Sequence, residues 1–340
     1  MNIKSIVVCV SALVFGLCGC DNGGAPGRLA TGPRAVDGAL VSTGFAKAPA
    51  DKILGDKKAD FYADINEKKN WPSDFKEALT KAGLDDIEVA WGGLSLVDVE
   101  FDESGAPKDG IPEIVVALSF NHDADKIFAV LKEEAAKHDA PKTKDASFLG
   151  EKGLILFDLD MTIALASISG KILIAGTSEA AAEKGVALYR DGKGGKAIAM
   201  TPSSILKVVA SAIGERVIKK LPADLYKGAL SPSIEDATAL LQGLKDFDGS
   251  ITATDDNGAA IALRLDTASN DDAAKLAEYV NMQLEPVKMM MTMGAAQNPQ
   301  SKPMVDALNA LSVTADGAAL SVKLTLPGAT FKQVAEQAID

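Results

Sequence analysis

"SITATDDNGAAIALRLD", residues 250–266, is the stretch on which the reading of the fold turns. Asn257-Gly258 is a strong short-range hairpin signal, because both residue types accept the left-handed backbone of a tight turn. On the return, Ile261, Leu263 and Leu265 alternate with Ala262 and Arg264, a period of two that places one face of a strand on a core. Upstream, "SPSIEDATALLQGLKDF" (231–247) predicts a helix capped by Ser233, with Ile234, Leu240, Leu241 and Leu244 following. Downstream, "SNDDAAKLAEYVNMQL" (269–284) is a helix that opens with acids. A second hairpin, "LSVTADGAALSVKLTL" (311–326), and a closing helix, "GATFKQVAEQAI" (328–339), complete the set.

The same order stands earlier in the chain. "WPSDFKEALTKAGLDDIEVAW" (71–91) predicts a helix capped by Ser73, and "VDVEFDESGAPKDGIPEIVVALSF" (97–120) a hairpin, with Val97, Val99 and Phe101 going out and Ile114, Val116, Leu118 and Phe120 coming back. "NHDADKIFAVLKEEAAKH" (121–138), "TIALASISGKILIAGT" (162–177) and "SEAAAEKGVALY" (178–189) supply the second helix, the second hairpin and the closing helix. The expected class is therefore α+β: two tandem similar units of antiparallel hairpins and helices, residues 53–200 and 201–340, joined near Met200. "FLGEKGLILFDLD" (148–160) has no counterpart in the second half, where a methionine-rich helical stretch stands instead. "GKGGK" (192–196) lacks the preceding strand and following helix of a phosphate loop, and reads as a linker between the halves.

Ahead of these units, Asp21 to about Lys52 is rich in Gly, Ala and Pro and shows no sustained period, so residues 20–52 are expected to be a flexible tether able to reach about 100 Å at full extension. The first nineteen residues differ again. Lys4, an apolar run from Ile6 to Phe15 and small residues at its end make a secretory signal peptide, too short to span a bilayer.

Leu17-Cys18-Gly19-Cys20 resembles the lipobox of bacterial lipoproteins, although Cys18 is less usual in its place than Ala or Ser. In that family the signal is cut before the Cys, which carries a diacylglycerol; the resemblance makes residues 1–19 the signal peptide and Cys20 the lipidated first residue. Cysteine usage agrees. Cys9 and Cys18 leave with the signal, so Cys20 remains alone and no internal disulfide is possible. The implied location is the bacterial cell envelope, with the lipid on Cys20 as membrane anchor and the chain facing the periplasm or the cell exterior.

Loss of Lys4 leaves 34 basic residues against 47 acidic, a net charge of −13, which disfavours nucleic acid and anionic lipid surfaces as partners. With aromatics at 5%, stacking platforms for sugars or bases are not expected, though Trp71 and Trp91 are candidates for exposure.

"LILFDLDMT" (154–162) resembles the first motif of the haloacid dehalogenase phosphatases, in which the first Asp attacks phosphorus, the second is acid and base, and Mg²⁺ lies between; here these are Asp158 and Asp160. "KILIAGTS" (171–178) resembles the second motif through Thr177. The residues themselves read otherwise. Met161 stands where that family has Gly, the short interval to Thr177 reads as a hairpin around Ser169-Gly170, and the alternation about Ile155 and Phe157 places both carboxylates on the wet face of a half-buried strand. His122, Asp123 and Asp125 read as a helix start, because the matching helix begins Asn270-Asp271-Asp272. With only His122 and His138 in the chain, no metal site, catalytic triad or cofactor is expected.

What remains is "NMQLEPVKMMMTMGAAQNPQSKPM" (281–304). Met282, Met289, Met290, Met291 and Met293 around Pro286 make a kinked helix that is apolar around much of its girth: either core, or a pliable surface for an apolar ligand or partner. The function these features imply is a non-catalytic, lipid-anchored envelope protein that acts in binding or assembly with another envelope protein. The alternatives are a carrier of a lipid or other apolar ligand and a Mg²⁺-dependent phosphatase.

Overall fold

The computed structural model describes residues 32–54, 89–97, 112–120, 123–137, 142–158, 161–221, 237–297 and 302–331. The chain divides into two compact units, with the main break between Ala199 and Met200 and the short piece Lys52–Leu54 grouped with the second. All strand pairs in both are antiparallel, and together with the helices they make an α+β fold.

In the first unit, β1 (Arg34–Val36) and β2 (Val41–Ala46) lead into the helix α1 (Lys47–Leu54). β3 (Val89–Leu96) and β4 (Ile114–Phe120) are followed by α2 (Ala124–Ala136), then by β5 (Lys142–Phe148), β6 (Glu151–Asp158), β7 (Met161–Ile168) and β8 (Ile172–Gly176). α3 (Glu179–Asp191) and β9 (Gly195–Ala197) close the unit. Its main sheet runs β2-β3-β4-β8-β7-β6-β5, while β1 and β9 form a separate two-stranded pair.

Both faces of this sheet are covered. Ile127, Phe128 and Leu131 of α2 pack on Leu118, Leu154, Leu156 and Leu165. On the other face, Ala182, Val186 and Tyr189 of α3 pack on Ala117, Ile155, Ile168 and Ile174. A strand covered on both sides needs apolar residues at every position, which is why Leu154, Ile155 and Leu156 are all buried. The expected half-buried strand is corrected here. Leu156 belongs to the face expected to be wet, and it is core.

Three further expectations change. The stretch expected as tether is already structured from Arg34, because Val41–Ala46 pairs as a strand with β3 and its Phe45 ring sits where a Cβ on Gly92 would otherwise be. The strand that pairs with β4 is Val89–Leu96, with Leu96 opposite Ile114 and Leu94 opposite Val116; of the outgoing strand expected at Val97, Val99 and Phe101, the last two lie outside the described residues. "GKGGK" is not a linker: Gly192 ends α3 in the left-handed region, φ 70°, and Gly195 pairs with Val36 where a Cβ would collide with the Ala35 carbonyl. Trp91 is buried and stacks on Tyr189, with ring centroids 5.6 Å apart. Trp71 lies outside the described residues, as do the caps expected at Ser73 and Ser233.

In the second unit, β10 (Ser204–Ala210) precedes a π-helical turn at Gly214–Ile218 and α4 (Ala237–Gln242). β11 (Phe247–Ala253), β12 (Ala259–Asp266), α5 (Asn270–Gln297), α6 (Lys302–Ala310), β13 (Ser312–Asp316) and β14 (Ala319–Leu326) follow. The sheet order is β10-β11-β12-β14-β13. This repeats the β2-β3-β4-β8-β7 order of the first unit: a strand, a hairpin, a helix, then a hairpin whose second strand pairs with the second strand of the first. Where the first unit adds the hairpin β5-β6 at its edge, the second has the long end of α5 and the helix α6.

The turn at 257–258 is a three-residue loop rather than a two-residue one. The N–H of Asn257 donates to Thr254 O at 3.2 Å and that of Thr254 to Gly258 O at 3.0 Å, with Asn257 at φ 61°. Gly258 is required for another reason: a Cβ there would strike the carbonyl of Leu326. The expected turn at Ser169-Gly170 is present, both residues having positive φ, 51° and 67°.

Candidate functional surface on a long helix

α5 begins on a side-chain cap. Ser269 Oγ accepts from the N–H of Asp272 at 3.2 Å, and Asp271 and Asp272 lie in the first turn, where the helix dipole favours acids. Its inner face is set by Ala273, Leu276 and Ala277, all buried, and by Val280 and Leu284, which pack on the core of Leu240, Val313 and Leu320. Asn281 pins the helix to the sheet by donating from Nδ2 to Val313 O at 3.1 Å.

α5 packs on β13, β14 and α6, and it is longer than the strands. Twenty-eight residues span about 42 Å, whereas the five residues of β13 span about 17 Å and the eight of β14 about 27 Å. No residue from Asn281 to Ala295 is buried. Met282, Met289, Met290 and Met293 are 47%, 63%, 63% and 59% exposed, joined by Val287 at 40%.

The exposed residues have an order. Met282, Pro286, Met289 and Met293 recur at i, i+4, i+7 and i+11, a spacing that lines up one stripe along a helix. Met290 flanks it on one side, while Val287, seven residues after Val280, continues the line of the inner face. The stripe is opposite the face that carries Leu276, Val280 and Leu284, so this segment is apolar on two sides. Met291 falls on the inner side and is half-buried, which removes it from the surface expected to comprise all five methionines. Val287, in line with Leu276 and Val280, is nevertheless 40% exposed. Pro286 has no N–H to give to the carbonyl of Met282, so the backbone is less tied at the centre of the stripe.

From Tyr279 to Gln297 the only charged residues are Glu285 and Lys288, in a chain of net charge −12. The surface is neutral, apolar and built from unbranched, polarizable side chains that repack readily against a partner.

The other candidates are placed as follows. Cys20, His122, His138 and Asp160 lie outside the described residues. Asp158 ends β6 and is paired with Met161 across a two-residue connection, so the phosphatase-like motif straddles an antiparallel hairpin. Thr177 lies toward the same end of the sheet, but its hydroxyl is engaged at the start of β4, accepting from Ile114 N–H and donating to Pro112 O, each at 3.0 Å. Asp123 caps α2 through Oδ1, which accepts from Asp125 N–H at 2.9 Å. Among the described residues, no three His, Cys, Asp or Glu side chains gather to hold a metal ion, and no helix is long and apolar enough to cross a membrane.

No family model and no curated protein matches the chain. One solved structure, crystal form I of TP0453, is similar at a TM-score of 0.37 and 8% identity, over 89% of this chain and 94% of that one. A likeness at that level carries no argument about what this chain does.

Proposed function

We propose that this is a lipid-anchored cell-envelope protein that acts by binding, with the outer face of α5 as its contact surface. The observation that carries the reading is the exposure of Met282, Met289, Met290, Met293 and Val287 on one short segment. These are five of the seven large hydrophobic side chains exposed among the described residues, the others being Leu149 and Phe157. Scattered apolar residues on a surface need no explanation, whereas a contiguous apolar patch marks a contact site. The anchor rests on the lipobox-like Leu17-Cys18-Gly19-Cys20.

A carrier of a lipid or other apolar ligand needs the methionines on a cavity wall between helix and sheet, and the exposure of four of them does not favour it. Nothing in the hairpin at Asp158 favours a phosphatase. The test is metabolic labelling with palmitate followed by fractionation. The native chain incorporates label and stays with the membranes, and Cys20→Ala takes up none and is recovered soluble and folded. A Cys20→Ala chain that remains membrane-bound after its signal peptide is removed overturns the anchor.

A further inference from the structure

We infer that the exposed thioethers of Met282, Met289, Met290 and Met293 form a modification site for two-electron oxidants of the peroxide class, and that their conversion to sulfoxides turns the outer face of α5 from apolar to polar. The change at sulfur stands on exposure alone. Its effect rests on the reading of that face as a contact surface, whose regulation it supplies.

α5 uses two kinds of apolar residue in two places. Leu276 and Leu284 pack on the core of the second unit, whereas Met282, Met289, Met290 and Met293 are 47%, 63%, 63% and 59% exposed. Five of the chain's nine methionines fall within residues 282–293, and no Leu, Ile or Phe stands at an exposed position there. Leu and Met form helices about equally well and exchange readily in packed sites, so neither helix formation nor apolarity calls for Met over Leu. What Met adds is an oxidisable sulfur on a flexible side chain.

On the proposed anchor, Cys9 and Cys18 leave with the signal peptide and Cys20 carries the lipid, so no free thiol remains to react before the thioethers. The proposed envelope location also lies outside the reducing cytosol.

The oxidation balances between the two reactants. The sulfur attacks one oxygen of a peroxide, and an S–O bond forms as the O–O bond breaks. The thioether loses two electrons, and the proton of the transferred hydroxyl passes to the leaving oxygen, giving water or an alcohol beside the sulfoxide. Each sulfoxide oxygen is a hydrogen-bond acceptor that holds water, and burying it against an apolar partner leaves that acceptor unsatisfied. Packing on the sheet is untouched, because Leu276, Val280 and Leu284 hold the inner face. Met291, on the inner side, and Met200 are half-buried and serve as internal controls.

The test has two readouts. In the first, the mature chain with Cys20→Ala is treated with hydrogen peroxide and digested at intervals for tandem mass spectrometry. Met282, Met289, Met290 and Met293 are expected to oxidise about fivefold faster than Met291 and Met200, with helix content unchanged by circular dichroism, and the difference disappears in urea. Equal rates in the folded chain, or loss of helix content as those four react, overturn the site.

In the second, membranes holding the full-length chain with a photoreactive residue at 289 are irradiated before and after peroxide treatment. The protein adduct is expected to fall roughly tenfold after treatment. Met282→Leu, Met290→Leu and Met293→Leu together are expected to keep the adduct and remove its sensitivity to peroxide. An adduct that survives oxidation of the native methionines, or one still lost in the Leu variant, overturns the switch and leaves the contact-surface reading standing. No adduct from untreated membranes removes that reading and the switch with it.

Discussion

Tyr189 lies against Trp91 under the first β-pair, and its hydroxyl is used twice. It accepts from the N–H of Arg34 at 2.9 Å and donates to Arg34 O at 3.1 Å. Burial pushes the phenol up to about 12, against the partial relief of those contacts with Arg34. The sign for stability follows. Below pH ~10 both folded and unfolded chains hold the proton; between ~10 and the raised value only the folded chain does, so stability falls as pH rises through that window. Tyr189→Phe leaves both Arg34 backbone groups without this partner and is expected to cost about 1–3 kcal/mol at neutral pH. It also removes the Tyr189 part of the loss between pH 10 and 12, both read by urea unfolding at a series of pH values. Gly93 presses on the same ring system: a Cβ there sits 2.6 Å from the Tyr189 hydroxyl oxygen. Gly93→Ala is therefore expected to destabilise by about 1–3 kcal/mol in the same assay, through overpacking.

Among the elements, those with a strong local code were legible in the sequence. The closing helix expected at 178–189 is α3, with Ser178 Oγ accepting from Ala181 N–H at 3.0 Å, whereas its end at Gly192 was not legible, because the glycines of 192–196 read as a linker. Asp123 caps α2, and Asp123→Ala should cost about 1 kcal/mol of global stability, checked by thermal unfolding. The hairpin at Ser169-Gly170 was legible for the same reason. What was not legible depends on partners distant in sequence. Val41–Ala46 has no period of its own and is a strand only because β3 offers it an edge. The alternation around Ile155 did not reveal that a helix covers each face, since Ile155 and Leu156 are both apolar and either face could have been the wet one. In the methionine stretch the sequence left core and surface open. The exposure of Met282, Met289, Met290 and Met293 decides for surface, and it depends on where β13, β14 and α6 are placed.

For the whole molecule, the account is of two antiparallel α+β units of related strand order, the first with a sheet sheathed on both faces and the second with a helix longer than the sheet under it. On the proposed reading, the apolar outer face of α5 and the lipid on Cys20 serve one function, because an anchored protein meets its partners at high local concentration and needs only a modest contact face. Substitutions on that face are expected to leave the fold alone: Met289→Glu should shift thermal unfolding by no more than an exposed surface change does, within about 0.5 kcal/mol, while abolishing contact. The measurement that bears most directly on the account is photo-cross-linking in living cells, with a photoreactive residue at Met289 of the full-length chain and the exposed Leu149 as control. The account predicts a discrete protein adduct at 289 and none at 149; lipid-only adducts, or none at 289, would contradict it.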